Sequence, residues 1–388
     1  MLIFTLLWLP RLDIYLSKVT QLPISSVLPV VFFTIFIKDI VWSFLRSQVR
    51  ILLLILLLFS IFSLISIYGN HDFEASEQYF SFLAFTLIMA GLVSFFEREF
   101  QIDESAVIFF CAGILMSTSI YLDVFQVVEF HREAGVGGRG AGFAENPNFA
   151  ILTILGALFV SQNSSSAYIK LASNLIFVPA AFLTGSRFGF IILGIYLLSQ
   201  AFNSKKPIYS IASIFMTGAS LYFVVSKILP LLVDSSSLYR RLTLTQIQLI
   251  SSDDGRVTVI KDYFNEQSLH FFGHGLTYGG DIEHRAHNSL VNYLFDLGVL
   301  PGISFALFYI LFLIFAYKNR SQFTNFISMF AFISLCFHFN NSILTAKACI
   351  IFFAFVLARC GSRARKLRSV TLSPYRQRCR SYHNPSRL

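Results

Sequence analysis

The chain alternates long apolar runs with short polar breaks along nearly its whole length. Runs of roughly 17–25 apolar residues are what a helix needs to cross the hydrocarbon core of a bilayer. Segments of that kind, or slightly shorter, fall at 2–16, 24–42, 51–68, 79–96, 105–122, 147–162, 168–183, 187–202, 208–232, 288–317, 323–340 and 343–358. The pattern predicts an all-α polytopic membrane protein with about twelve transmembrane helices. The first run, "MLIFTLLWLPRLDIYL", has no basic start and no small-residue cleavage site. It reads as a weak first helix or re-entrant piece that is retained, not as a signal peptide. The tenth run carries "LPG" at Leu300–Gly302 and is expected to kink or divide there.

Composition agrees. Of 388 residues, 55% are hydrophobic and 13% charged, half the charge of an average soluble domain. The net charge of +9 would suggest nucleic acid in a soluble protein, but topology accounts for it here. With the N-terminus cytoplasmic, the inner loops hold Lys38, Arg46, Arg50, Arg98, Lys170, Lys205, Lys206, Lys318 and Arg320. The tail 359–388 holds nine Lys or Arg. Every inner loop then obeys the positive-inside rule, and both termini are inside. The organisation is a transmembrane domain over 1–358, outer segments at about 123–146 and 233–287, and a basic cytoplasmic tail that can contact anionic lipid. Cys111, Cys336, Cys349, Cys360 and Cys379 show no metal-ligand spacing and read as small apolar fillers.

The same rule depletes arginine from outer loops, so the outer arginines Arg132, Arg139, Arg187, Arg240, Arg241, Arg256 and Arg285 are informative. In "GVGGRGAGFAENPNFA" (135–150) a glycine-rich stretch around Arg139 leads into Asn146, a natural helix cap, and Pro147, suited to a first helical turn. One reading is a flexible loop feeding a capped helix. The other is a loop that closes over an anionic or sugar ligand, with Asn146 and Asn148 beside it, since free N–H groups at a helix start attract anions and glycine allows close approach. In "LTGSRFGF" (183–190) Arg187 lies between two spans. A charge at depth is costly and usually faces a cavity, although a snorkelling arginine gives the same pattern. Arg256 follows "DDG" in the first turn of a predicted helix, where basic charge opposes the macrodipole and calls for a balancing anion.

"HFFGHGLTYGGDIEHRAHNSL" (270–290) brings His270, His274, His284 and His287 to a membrane threshold. Asp281, Glu283, His284 and His287 do not follow a standard zinc spacing, so no metal site is assigned. "GHGLTYGG" lacks the Gly-Lys-Ser/Thr ending of a phosphate loop. A general base needs a histidine of tunable pKa beside a polar cavity. His287, followed by Asn288 and membrane entry, is the best placed, with His284 and Arg285 beside it. An interfacial collar histidine is the plain alternative.

Taken together, the 139–150 stretch, the Gly185–Arg187 turn, Gly255-Arg256 and "FGHG…AHN…LFDLGVLPG" (272–302) resemble the O-antigen ligase and polymerase family. The resemblance implies a fold like the GT-C glycosyltransferases, a helical periplasmic loop and metal-independent transfer from an undecaprenyl-diphosphate-linked oligosaccharide. No cofactor and no nucleic acid are implied. By motif, the essential two arginines and histidine correspond to Arg187, Arg256 and His287. Arg139, Asn146, Asn148, His284, Arg285 and Asn288 would bind substrate, and His284 lies close enough to His287 to leave the choice between them open. The expected setting is the bacterial inner membrane with a periplasmic active site, a glycan acceptor and a chain-length regulator as partners. A polymerase of repeat units is the preferred role. A ligase moving finished glycan onto lipid A core is the alternative, and a lipid-linked oligosaccharide flippase is a third, from a different class.

Overall fold

A computed structural model describes residues 2–98, 102–128, 130, 139–203, 269–276, 288–339, 344 and 346–361. Among these the secondary structure is helical, without strands. The helices are α1 Leu2–Trp8, α2 Leu12–Thr20, α3 Ile24–Arg46, α4 Arg50–Asn70, α5 Ser76–Arg98, α6 Ile102–Val124, α7 Pro147–Ser161, α8 Ala167–Leu183, α9 Arg187–Asn203, α10 Ser289–Asp296, α11 Val299–Lys318, α12 Phe326–Phe339 and α13 at 347–361. Five described helices are long and apolar enough to cross a membrane: Ile24–Arg46, Arg50–Asn70, Phe73–Arg98, Asp103–Val124 and Val299–Lys318. Four shorter apolar ones join them, Pro147–Ser161, Ala167–Leu183, Phe188–Gln200 and Phe326–Phe337. This is a helical, membrane-embedded protein. The predicted span 208–232, the outer segment from 233 to 268 and the tail from 362 lie outside the described residues.

Two predicted spans are divided, each for a local reason. The first breaks at Leu9–Arg11, where Pro10 supplies no N–H and Arg11 adopts φ 59°, ψ 24°. The pieces have 7 and 9 residues, about 10 and 14 Å at 1.5 Å per residue, so neither alone spans the core. The 288–317 run also divides, but at Gly298 and not at the Leu300–Gly302 tripeptide. Pro301 falls in the first turn of α11, where its missing N–H would have had no helical partner. Gly298 has φ 101°, and a Cβ there would lie 2.3 Å from the Phe271 carbonyl oxygen. The turn therefore requires glycine.

Caps are written into the sequence and are made. Asn146 accepts from Asn148 N–H ahead of α7, Ser166 from Ile169 N–H ahead of α8, and Asn288 from Leu290 and Val291 N–H ahead of α10. Between helices the contacts are aromatic and small-polar. Phe59, Phe82, Tyr293 and Phe305 form a cluster with ring centroids 4.6–5.5 Å apart, joining α4, α5, α10 and α11. Ser60 and Thr86 share a hydrogen bond at 2.8 Å, and Ser43 donates to Ala90 O at 2.6 Å. Such hydroxyls tie helices together where lipid tails give no hydrophobic drive for association. One face of α3 is left outward and apolar, with Val27, Val30, Ile35 and Ile37 about half exposed or more, as a lipid-contacting surface requires.

The end of α6, the stretch at 139–146 and the turn at 183–187 meet, since Ala141 N–H donates to Asp123 and Gly140 N–H to Leu183 O. Ser66, near the end of α4, donates to Leu297 O at 2.6 Å and so ties the Gly298 turn to that end of α4.

Candidate functional site

The loop that enters α7 is fixed by α6. Asp123, in the last turn of α6, accepts from Ala141 N–H at 2.8 Å and Gly142 N–H at 3.0 Å. Ser119 Oγ, one turn earlier, accepts from Phe143 N–H at 3.2 Å. A Cβ on Gly142 (φ 51°) would lie 2.1 Å from Ser119 Oγ, and one on Gly140 would meet Ile120 and Val124 side-chain carbons at 2.8 Å. These two glycines thus have a reason inside the protein. They let the loop lie directly on α6, where the sequence alone suggested mobility or close approach to a ligand.

The same loop is bonded to the turn between α8 and α9. Gly140 N–H donates to Leu183 O at 3.0 Å, and Arg139 Nε donates to Thr184 O at 3.1 Å. Arg139 Nη2 donates to Asn148 Oδ1 at 3.3 Å, and Ser186 Oγ donates to the same oxygen at 3.4 Å. Two motifs some 40 residues apart in sequence become one polar cluster: Arg139, Asn146, Asn148, Thr184 and Ser186. Arg187 starts α9 immediately after it, and of Arg187 only the backbone is described. Within the cluster Arg139, Thr184 and Ser186 are buried while Asn148 is exposed. A buried guanidinium thus braces an exposed amide, and an amide offers both a donor and an acceptor to a ligand.

Of the other predicted residues, Asn288 caps α10 as described above. His287, Arg256, His284 and Arg285 lie outside the described residues. His270 and His274 are described, with ring centroids 4.4 Å apart. Their segment is pinned between two parts of the bundle: Asn70 donates to Phe272 O at 3.2 Å, and His274 and Gly275 N–H donate to Phe295 and Asp296 O at 2.9 and 2.8 Å.

The N-terminal helix pair forms a neighbouring wall that sequence reading did not assign to the site. Arg11 Nη1 donates to Ala144 O at 3.0 Å, with its guanidinium 4.5 Å from the Phe149 ring centroid. Lys18 pairs with Glu145 at 2.6 Å, and Thr153 Oγ1 donates to Leu9 O at 3.0 Å. Asp13, fully buried, pairs with Lys347 at the start of α13. A signal was present: Arg11, Asp13 and Lys347 are charges inside or bordering apolar runs, which are rare unless paired or facing a cavity. Among the described residues, no group of three or more His, Cys, Asp or Glu is arranged to hold a metal ion.

Comparison with family models, with curated proteins and with solved structures finds no match for this chain.

Proposed function

We propose that this protein is a membrane glycosyltransferase that joins undecaprenyl-diphosphate-linked oligosaccharide repeat units into a surface polysaccharide at the periplasmic face of the bacterial inner membrane. The observation that carries the reading is the Arg139–Asn148–Ser186 junction, which puts the glycine-rich loop and the Gly-Ser-Arg turn side by side and starts α9 with Arg187 next to them. An activated sugar outside the membrane has to arrive on a lipid carrier, and its diphosphate gains negative charge as the glycosidic bond breaks. Planar guanidinium groups suit those oxygens, which they can bind in bidentate fashion, and stabilising charge that grows in the transition state is the usual large catalytic contribution.

In the proposed step an acceptor sugar hydroxyl attacks the anomeric carbon of the donor. The new C–O bond forms as the bond to the diphosphate oxygen breaks. The diphosphate oxygen keeps the bonding electron pair, Arg187 and Arg256 bind the anion that results, and the hydroxyl proton passes to His287. Asn148, exposed beside the Ser186 turn that leads into α9, orients sugar hydroxyls, and Arg139 holds Asn148. Purified protein in liposomes with lipid-linked repeat units tests this. Longer lipid-linked glycan should appear, and Arg187→Ala, Arg256→Ala and His287→Ala should each nearly abolish it at unchanged abundance. Movement of the lipid across the bilayer without any new linkage, or full chain formation by all three variants, would refute it.

A further inference from the structure

Two buried polar atoms without a hydrogen-bond partner among the described residues belong to side chains that contact the same ammonium group. They are Trp8 Nε1, a donor at the end of α1, and Asp13 Oδ1, an acceptor in the first turn of α2. Both residues are fully buried. Lys347 Nζ touches both residues: it pairs with the other oxygen of Asp13 and sits 5.4 Å from the Trp8 ring centroid. Buried polar groups in native proteins are satisfied as a rule, because an unmade bond leaves the whole desolvation cost uncompensated. An orphan donor and an orphan acceptor around one cation therefore describe a place for a third group that can both give and accept hydrogen bonds.

A hydroxyl does this, with one O–H donor and two acceptor lone pairs. It is also neutral, so it adds no charge to a pair that already balances. A phosphate would bring its charge against Asp13. The backbone here supports a ligand site as well. Non-helical chain at membrane depth is tolerated where it is buried in protein or lines a cavity, and interrupted helices frame binding sites in membrane proteins. The break at Leu9–Arg11 interrupts a helix in this way, with Trp8 and Leu9 fully buried in protein. It is joined to the candidate site by Thr153 on Leu9 O and by Arg11 on Ala144 O and Phe149.

We propose that Trp8, Asp13 and Lys347 form a binding site for a sugar hydroxyl of the glycan substrate, with the O–H donating to Asp13 Oδ1 and the oxygen accepting from Trp8 Nε1. This rests on the glycan-transfer reading for the identity of the ligand; the same hydroxyl chemistry could be supplied by water, and the test separates the two.

Trp8 and Trp42 are the two tryptophans, so Trp42→Phe leaves Trp8 emission as a reporter in the full-length protein. Undecaprenyl-diphosphate-linked repeat unit is added in detergent, with sugar-free undecaprenyl diphosphate as the comparison. Trp8 emission should shift with the glycan-bearing lipid and not with the bare one. The shift should be lost in Asp13→Asn/Lys347→Gln, which removes both charges at once and so strands neither in the interior. Trp8→Phe, which keeps an aromatic ring, though a smaller one, and removes the donor, should lower transfer about tenfold at unchanged abundance. Emission that does not respond to the glycan lipid overturns the proposal, whether or not transfer is seen, and leaves water as the occupant. Emission that shifts in a sample without transfer supports the site and counts against the enzymatic reading alone.

Discussion

Asp123 holds the N–H of Gly142 at 3.0 Å, and that bond, with its partner to Ala141 at 2.8 Å, decides where the glycine-rich loop lies. Charged acceptors make bonds of roughly 1.5–3 kcal/mol, so Asp123→Ala should free the loop from α6 while the helices remain packed. Limited proteolysis should then cut near 139–146 in the variant and not in the wild type. Transfer should fall with it. Asp123→Asn, which keeps one acceptor oxygen, should lie between the two.

Gly142 tests whether the loop conformation itself matters. Its positive φ and the 2.1 Å approach of a hypothetical Cβ to Ser119 Oγ combine two penalties. A strained backbone position costs on the order of 1–3 kcal/mol, and the overlap adds to it. Gly142→Ala should lower the thermal midpoint clearly, whereas Gly194→Ala, on α9 with no neighbour within 4 Å of its would-be Cβ, should leave it unchanged or raise it slightly.

Arg139 and Asn148 should behave as a coupled pair. With the guanidinium donating to Asn148 Oδ1 at 3.3 Å and to Thr184 O at 3.1 Å, Arg139→Ala removes a donor from each, and Asn148 Oδ1 keeps Ser186 Oγ. Arg139→Lys cannot reproduce a two-ended fork, so it too should cost most of the activity. In a double-mutant cycle on transfer, Arg139→Ala and Asn148→Ala should be non-additive, with a coupling of about 0.5–3 kcal/mol. Additive losses would mean that Arg139 does not act through Asn148.

Much of the architecture could be read from the chain because a bilayer leaves few options. Every backbone group at depth has to be bonded internally, so an apolar run of sufficient length is a helix. The runs at 24–42, 51–68, 79–96 and 105–122 correspond to α3–α6, each within a few residues. The cap at Asn146 is legible from local chemistry, whereas Asn288 reads from sequence only as a substrate contact and the structure shows it capping α10. What the sequence hides is which ends meet. Nothing in "GGRGAGFAENPN" or "LTGSRFGF" says that Arg139 will bond Thr184 O, since that depends on how α6, α7 and α8 pack. The N-terminal break is a related case. Pro10 marks a weak point, but only the fold places Asp13 against Lys347, 334 positions later. The Gly298 turn was displaced from the expected tripeptide because a proline's effect depends on its position in the helix, and Pro301 sits where the helix can accept it.

The N-terminal wall supplies a last contrast, between a surface ion pair and a partly buried cation held by a carbonyl and a ring. Lys18 is 46% exposed at its side chain, and pairs of that kind contribute about 0–1 kcal/mol. Lys18→Ala should therefore leave abundance and thermal midpoint close to wild type. Arg11 is a different matter, because it both donates to Ala144 O and packs on the Phe149 ring. A cation over an aromatic ring adds roughly 0.5–2 kcal/mol, and loss of the hydrogen bond removes one of the loop's ties to the N-terminal segment, the Lys18–Glu145 pair being another. Arg11→Ala should lower the midpoint measurably and reduce transfer, while Arg11→Lys should recover part of the packing but not the geometry of the bond. Equal behaviour of Lys18→Ala and Arg11→Ala in both assays would show that the N-terminal helices do no more than cover the bundle, and that α6 and the 183–186 turn hold the loop without them.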